Sequence, residues 1–235
     1  MAYKLLKLKS LTLGNLVRKR RILVDRFFGL DFLTVIHPED VGLDSKNAFR
    51  SSPSGDGYLK NLLRDFNISS QDSIIDIGCG KGSAMRTMLE FPFKRVDGIE
   101  LSDHIATIAT RNFAKLNVKR CRIFVGDASQ FKKFDNYNMV YFYNPFPSNV
   151  MLDVIDAIIQ SIYRLDRELV IIYNNATCHD TVVGKGIFSK MGVYPDKWGN
   201  LISIYSNRSF DNSRLFMNRS MRRITENLTL DERQL

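Results

Sequence analysis

From Ser73 onward, short apolar runs rich in Ile, Val, Tyr and Phe alternate with segments of helical period, the pattern of β-α units wound around a parallel sheet. Strands are predicted over residues 73–77, 95–100, 121–125, 139–143 and 169–173. A glycine turn after the first leads to a helix over 84–90. After the second, Ser102 is placed as an N-cap, and Ile105, Ile108, Ala109, Phe113 and Leu116 recur at the spacing of one buried stripe. Ser148 would cap a longer helix that buries Met151, Val154, Ile155, Ile158, Ile162 and Leu165. A helix over 183–191 is followed by two extended runs flanking Gly199 and Asn200, a pair suited to a tight hairpin turn. The expected fold is an α/β sandwich whose sheet finishes antiparallel.

Ahead of the sheet, residues 5–24 mix Leu with basic residues in a helix-like way, and residues 58–66 carry a second short helical pattern. A small-residue turn over 51–57 separates them. Beyond residue 208 the chain is polar and basic with a weak helical pattern at Leu215, Met217, Met221 and Ile224, read as a docked helix or a tail. The chain therefore divides into a basic helical extension (1–50), a body (51–207) and a basic C-terminal helix or tail (208–235). A length of 235 residues, 44% of them hydrophobic, suits one substantial core with small additions.

Three scattered cysteines and three scattered histidines fit neither a disulfide framework nor a structural metal site. No run approaches the roughly 20 apolar residues that span a bilayer, and the N-terminal Leu/Lys mixture is not of signal-peptide type, so a cytoplasmic protein is expected. The net charge of +9 is concentrated at Lys4, Lys7, Lys9 and the cluster Arg18, Lys19, Arg20, Arg21. A solvated basic surface accounts for it. An anionic partner or a membrane surface met through the N-terminus is the sharper reading, and would make the protein peripheral at the membrane.

The segment SIIDIGCGKGSA carries the strongest chemical signal: a strand ending in Asp76 and Ile77 runs into Gly78, Cys79, Gly80, Lys81 and Gly82 before a helix. Alternate glycines let the backbone turn sharply and bring its N–H groups close to a ligand. The G-x-x-G end of a dinucleotide fingerprint is missing, because Ser83 holds its last place, and the G-x-x-x-x-G-K-[ST] order of a P-loop is absent too. Glu100, about 20 residues beyond the loop at the end of the second strand, is placed to accept hydrogen bonds from ribose hydroxyls. Asp127, in GDAS, stands where a carboxylate meets an exocyclic amine or serves as a turn residue. Asn144-Pro145-Phe146-Pro147 puts an amide, a rigid turn and a ring at the mouth of the same crevice, where Pro145 and Pro147 also serve as strand stoppers.

The runs DIGCGKG, GIELS, GDAS and YFYNPFP resemble the class I, Rossmann-like S-adenosylmethionine methyltransferases over roughly residues 51–207. The resemblance implies a three-layer Rossmann-like fold with a seven-stranded sheet closed by an antiparallel hairpin. It places the methionine part of S-adenosylmethionine over Asp76, Gly78, Cys79, Gly80 and Gly82. The ribose falls on Glu100 with Leu101 beside it, and the adenine beside Asp127 and Ala128. VDRFFGLDF and the NPF segment are similar to small bacterial methyltransferases of unassigned acceptor, some accompanying surface-polysaccharide synthesis. NPF also resembles the [ND]PP[YF] motif of amine-methylating enzymes, with Phe146 in place of its second proline.

The expected reaction is methyl transfer to a nitrogen or oxygen acceptor such as a glycan sugar or a protein side chain. Asn144 borders the cofactor and positions that acceptor, Phe146 and Tyr143 form walls, and His104 or His179 is the candidate base. Cys178-His179-Asp180 is read as a loop, since adjacent residues diverge and cannot form a triad. The alternatives are a nicotinamide-dependent oxidoreductase and a non-enzymatic basic module on a degenerate fold of this type.

Overall fold

The computed structural model describes residues 16–42 and 51–209. Among them, seven strands form one sheet: β1 (Ser73–Ile77), β2 (Arg95–Glu100), β3 (Ile123–Val125), β4 (Met139–Tyr143), β5 (Val170–Asn174), β6 (Ser189–Pro195) and β7 (Leu201–Ser206). Their order is β3-β2-β1-β4-β5-β7-β6. The first five strands pair in parallel, while β7 lies antiparallel between β5 and β6. The Gly199 turn, at φ 87°, closes the hairpin as expected.

Period-2 alternation assigns the strand side chains to two cores. Ile75, Ile77, Val140, Phe142 and Tyr173 face the layer of α5 (Ser148–Arg164) and α6 (His179–Val183). Ile74, Met139, Tyr141 and Ile172 face the layer of α2 (Gly57–Asp65), α3 (Ser83–Met88) and α4 (Asp103–Lys115). On α5, Met151, Val154, Ile155 and Ile158 are fully buried. At about 1.5–3 kcal/mol each, these four contribute roughly 6–12 kcal/mol as an upper bound.

Several expectations need correction. Pro147, not Ser148, is the N-cap of α5, and it works through its carbonyl, which accepts from Met151 N at 3.0 Å. Leu165 is half exposed because the helix ends at Arg164. On α4, Ser102 caps as expected by accepting from Ile105 N, but Leu116 is exposed and the buried face includes Asn112. The helix expected over 183–191 is instead α6, which begins earlier and stops at Gly184, and Met191 belongs to β6. Gly186, at φ 69°, turns the chain out of helix and into that strand.

Residues 16–27 form helix α1. It ends in a Schellman turn at Gly29 (φ 65°), with Leu30 N bonded to Asp25 O and Gly29 N to Arg26 O. The chain that follows is no appendage. Leu30 and Phe32 are buried in the α2–α3 core. The segment to Gly42 forms a strap, bridged to Ser51 through reciprocal backbone bonds with Ile36. The basic residues of 1–15 and the weak helical pattern beyond 208, at Leu215 to Ile224, lie outside the described residues.

Candidate functional site

A cleft opens outside the carboxyl ends of β1, β2, β3 and β4, the place where sheets of this topology bind ligands. Its floor is the loop after β1, its far walls are the loops after β2, β3 and β4, and its near wall is the strap with residues 51–54. Gly78, Cys79, Gly80, Glu100, Leu101, Asp127, Ala128, Asn144 and Phe146 all line it. Asp76 and Gly82 do not lie on the lining surface.

The glycines of the loop divide their work. Gly78 (φ 71°) and Gly80 (φ 53°) occupy left-handed backbone. A Cβ on Gly78 would lie 2.8 Å from Pro145 Cβ, and one on Gly80 would lie 2.5 Å from Ser51 Oγ. These two positions keep the cradle open while the β4 loop and residue 51 close over it. Gly82 (φ 86°) serves packing: a Cβ there would stand 2.4 Å from the Phe113 ring, so this glycine lets α3 begin against α4. Cys79 contributes backbone to the lining while its buried thiol lies against β2, where a Cβ on Gly98 would come within 2.6 Å of its sulfur. Burial first, then the carboxylates of Asp76 and Glu100, pushes that thiol well above its usual range, which leaves it inert as a nucleophile.

Glu100 ends β2 with its carboxyl held in place by two backbone donors. Gly80 N donates to Oε2 at 3.0 Å and Ser102 N to Oε1 at 3.0 Å. Each oxygen keeps lone-pair capacity for a further donor from the cleft. Burial raises its pKa, against the lowering effect of those backbone bonds.

Two buried aspartates contrast. Asp97, on β2, is fully engaged: it accepts from Arg122 N at 2.8 Å and Tyr137 Oη at 2.5 Å, and pairs with Arg95. Asp76, beside the glycine loop, receives no hydrogen bond among the described residues. Desolvation, then the Glu100 charge, pushes its carboxyl up to about 8. On the same side of the sheet, Tyr141 Oη and Asn174 Oδ1 are buried near one another without a hydrogen bond of good geometry. Such unpaired polar atoms beneath a cleft are what a polar, cationic ligand group would satisfy.

Asp127 is used locally: its Oδ1 accepts from Ser129 N at 2.8 Å and caps a short 3-10 turn, with Ala128 buried behind it. The turn reading of this residue therefore holds alongside its place on the cleft wall. Asn144 adopts φ 39°, a strained conformation for the residue before a proline, at the end of β4. Thr177 Oγ1 donates to its Oδ1 at 2.6 Å and fixes the amide. Phe146 is mostly core, meeting Phe142 edge-on at 6.3 Å, with one edge on the cleft beside Tyr143. Neither histidine proposed as a base reaches the cleft. His104 is exposed on α4, and His179, at the start of α6, has its Nδ1 2.9 Å from Tyr205 Oη.

Of the strap residues on the near wall, only Phe32 falls in a run singled out in the sequence, VDRFFGLDF. Phe32, Thr34, Ile36, Pro38 and Val41 line the cleft from the strap. Lys81, inside the glycine motif, pairs with Asp31 at 2.5 Å and also donates to Thr34. Burial draws the Lys81 pKa down against the pull of Asp31. Burial alone would raise Asp31, but Lys81 and Thr34 bring it below its usual value, so the pair is held as ions. Asn112, fully buried on α4, accepts from Asp31 N at 2.9 Å and donates to Asp31 O at 2.9 Å and Lys81 O at 3.2 Å. One side chain thus ties strap, loop and helix together.

Residues 74–168 match the family described as a methyltransferase domain. That match covers 95 of the chain's 235 residues. Among curated proteins it is similar to probable cobalt-precorrin-6B C(15)-methyltransferases (decarboxylating). The one from Methanococcus maripaludis is 29% identical over 75 residues, 32% of this chain and 41% of that protein. The one from Methanococcus vannielii is 37% identical over 66 residues, 28% of this chain and 36% of that protein. The matched parts span about two fifths of those relatives' length. Among solved structures, mitomycin 7-O-methyltransferase MmcR superposes with a TM-score of 0.52 at 16% identity, covering 65% of this chain and 53% of that one. That likeness bears out the Rossmann-like fold. No helix among the described residues is long and apolar enough to cross a membrane.

Proposed function

We propose that the protein transfers a methyl group from S-adenosylmethionine to a nitrogen or oxygen nucleophile held beside Asn144. The observation that carries this reading is the Glu100 carboxyl, fixed by Gly80 N and Ser102 N at the edge of a Cβ-free cradle. The residues present fit the cofactor: Glu100 would hold the ribose diol, Gly78 and Gly80 the methionine chain, and Leu101, Asp127 and Ala128 the adenine. Asp76, beneath the cradle, would supply a negative charge once an ammonium group above it draws the carboxyl into its ionised form. When bound, S-adenosylmethionine supplies a methyl group already activated by the positive sulfur. The protein's part is then alignment and exclusion of water, with orientation providing much of the acceleration.

At the acceptor side, Thr177 holds Asn144 Oδ1 in one orientation, leaving its remaining lone pair and its amide N–H groups for an incoming nucleophile. Tyr143 and Phe146 wall that space. A sugar hydroxyl of a surface glycan and a protein side chain are the acceptor classes proposed. The test is incubation of the protein and labelled S-adenosylmethionine with fractionated cell extract. Label is expected in a glycan or protein fraction. Asn144→Ala should reduce that transfer about tenfold to a hundredfold while cofactor affinity changes less than threefold. Absence of label from every fraction, with cofactor bound normally, would reject the transferase reading.

The pKa of Asp76 gives this reading a pH signature. In the folded chain the carboxyl titrates at about 8, against 3.8 as a free aspartate. Its contribution to stability is therefore fully present below pH 3.8 and lost as pH rises through about 8. An ammonium group beside it favours the ionised form. Affinity for S-adenosylmethionine should climb from pH 6 toward about 8, with proton release on binding, until the ligand's own α-amino group deprotonates near pH ~8. Calorimetry in buffers of different ionisation enthalpy measures that release. Asp76→Asn should abolish both the release and the climb.

A further inference from the structure

We infer that the outward face of helix α1 docks on an anionic lipid surface. This inference is independent of the methyl-transfer reading. At about 100° per residue, Arg18, Ile22 and Asp25 share the face turned to the body. Asp25 is buried there and pairs with Arg86 at 3.0 Å, while Arg18 Nη2 reaches Leu33 O at 3.4 Å. The helix is thus held firmly on one side. On the opposite side Leu16, Leu23 and Phe27 fall within about 40° of one another. They are 67%, 64% and 85% exposed, and Phe28 extends the patch beyond the helix end. Val17 and Val24 turn instead toward a groove shared with α2 and are not part of this face.

A helix of a folded body ordinarily hides its large apolar side chains, and one that turns them straight outward marks an interaction surface. The charges name the occupant. Lys19 and Arg26 flank the apolar stripe on one side and Arg20, at the rim of the groove shared with α2, on the other, all exposed. The sequence has no acidic residue before Asp25, although it carries seven basic ones there. An apolar ridge bordered by cations is the profile of a helix lying in a membrane interface, its apolar side chains at the acyl boundary and its cations among anionic headgroups. A symmetric dimer through this face would set Lys19 and Arg20 against their own copies. A nucleic acid would have to place its phosphates over Leu16, Leu23 and Phe27. Lipid satisfies both the apolar and the charged groups.

The test is co-sedimentation of the full chain with vesicles of phosphatidylcholine containing 30% phosphatidylglycerol, and with pure phosphatidylcholine. Partitioning should be at least about tenfold stronger on the anionic vesicles and should weaken with salt. Leu23→Ser combined with Phe27→Ser should lower it at least about tenfold, with circular dichroism and melting temperature unchanged because both side chains are exposed. Lys19→Glu with Arg20→Glu should lower it comparably. Failure of the native chain to sediment with anionic vesicles would overturn the inference, as would equal binding by the Leu23/Phe27 variant. So would a concentration-dependent dimer abolished by that variant, or tight binding to a poly(U) oligonucleotide that the apolar substitutions leave intact.

Discussion

Glu100→Ala should weaken S-adenosylmethionine binding at least about a hundredfold while leaving the fold intact. The carboxyl is the fixed charged acceptor at the end of β2, held by Gly80 N and Ser102 N before any ligand arrives. Hydrogen bonds to a charged group contribute about 1.5–3 kcal/mol each. Losing two ribose bonds therefore removes more than the 2.7 kcal/mol or so that a hundredfold represents. Gly80 borders the cleft, where water can take its freed N–H, while Ser102 N is left buried, so the melting temperature of the unliganded chain should fall by only a few degrees. Glu100→Gln keeps the size but turns one acceptor into a donor, and an intermediate loss of about tenfold is expected. Titration calorimetry with S-adenosylmethionine measures all three proteins. Unchanged affinity in Glu100→Ala would remove the ribose role and, with it, the main support for the cofactor assignment.

The far wall of the cleft was legible in the sequence and the near wall was not, for a physical reason. Strands β1, β2 and β4 lie in the middle of a parallel sheet with both faces covered, so each reads as an apolar run with sharp ends. The chemistry of this fold sits on those ends, which is why Gly78, Glu100, Asp127 and Asn144 could be placed by counting from the strands. Gly82 and Asp76 belong to the same motif, but sequence cannot tell a glycine that makes room for Phe113 from one that makes room for a ligand. Nor can it tell a lining carboxylate from one beneath the floor. The start of β6 was read as helix because Lys190 and Gly192 interrupt its alternation at a bulge, leaving Met191 to look helical. The strap has no period at all. Phe32, Thr34 and Val41 are brought to the cleft by tertiary contacts from a segment that, read locally, is a connection after a basic helix.

The residue holding that strap should also be the most sensitive point of the fold. Asn112→Ala removes a fully buried amide that serves Asp31 N, Asp31 O and Lys81 O at once. Three backbone groups lose their partner in the interior, at about 1–3 kcal/mol for each that water cannot reach. A net loss of about 2–4 kcal/mol is expected, which for a chain of this size lowers the melting temperature by roughly 5–15 °C. S-adenosylmethionine affinity should fall as well, by about tenfold, because Thr34, Ile36 and Val41 would no longer be held against the cleft. Asn112→Asp separates hydrogen bonding from packing. It keeps the acceptor for Asp31 N but points an anionic oxygen at two carbonyls, so at neutral pH it should be at least as damaging as alanine. Burial and those carbonyls raise the new carboxyl's folded pKa, so its stability should recover as pH falls and the protonated oxygen donates. Thermal melts of both variants between pH 5 and 8 decide the matter. If Asn112→Asp tracks the native protein at every pH, the strap is held by Phe32 and Leu30 packing, and the amide clamp is incidental.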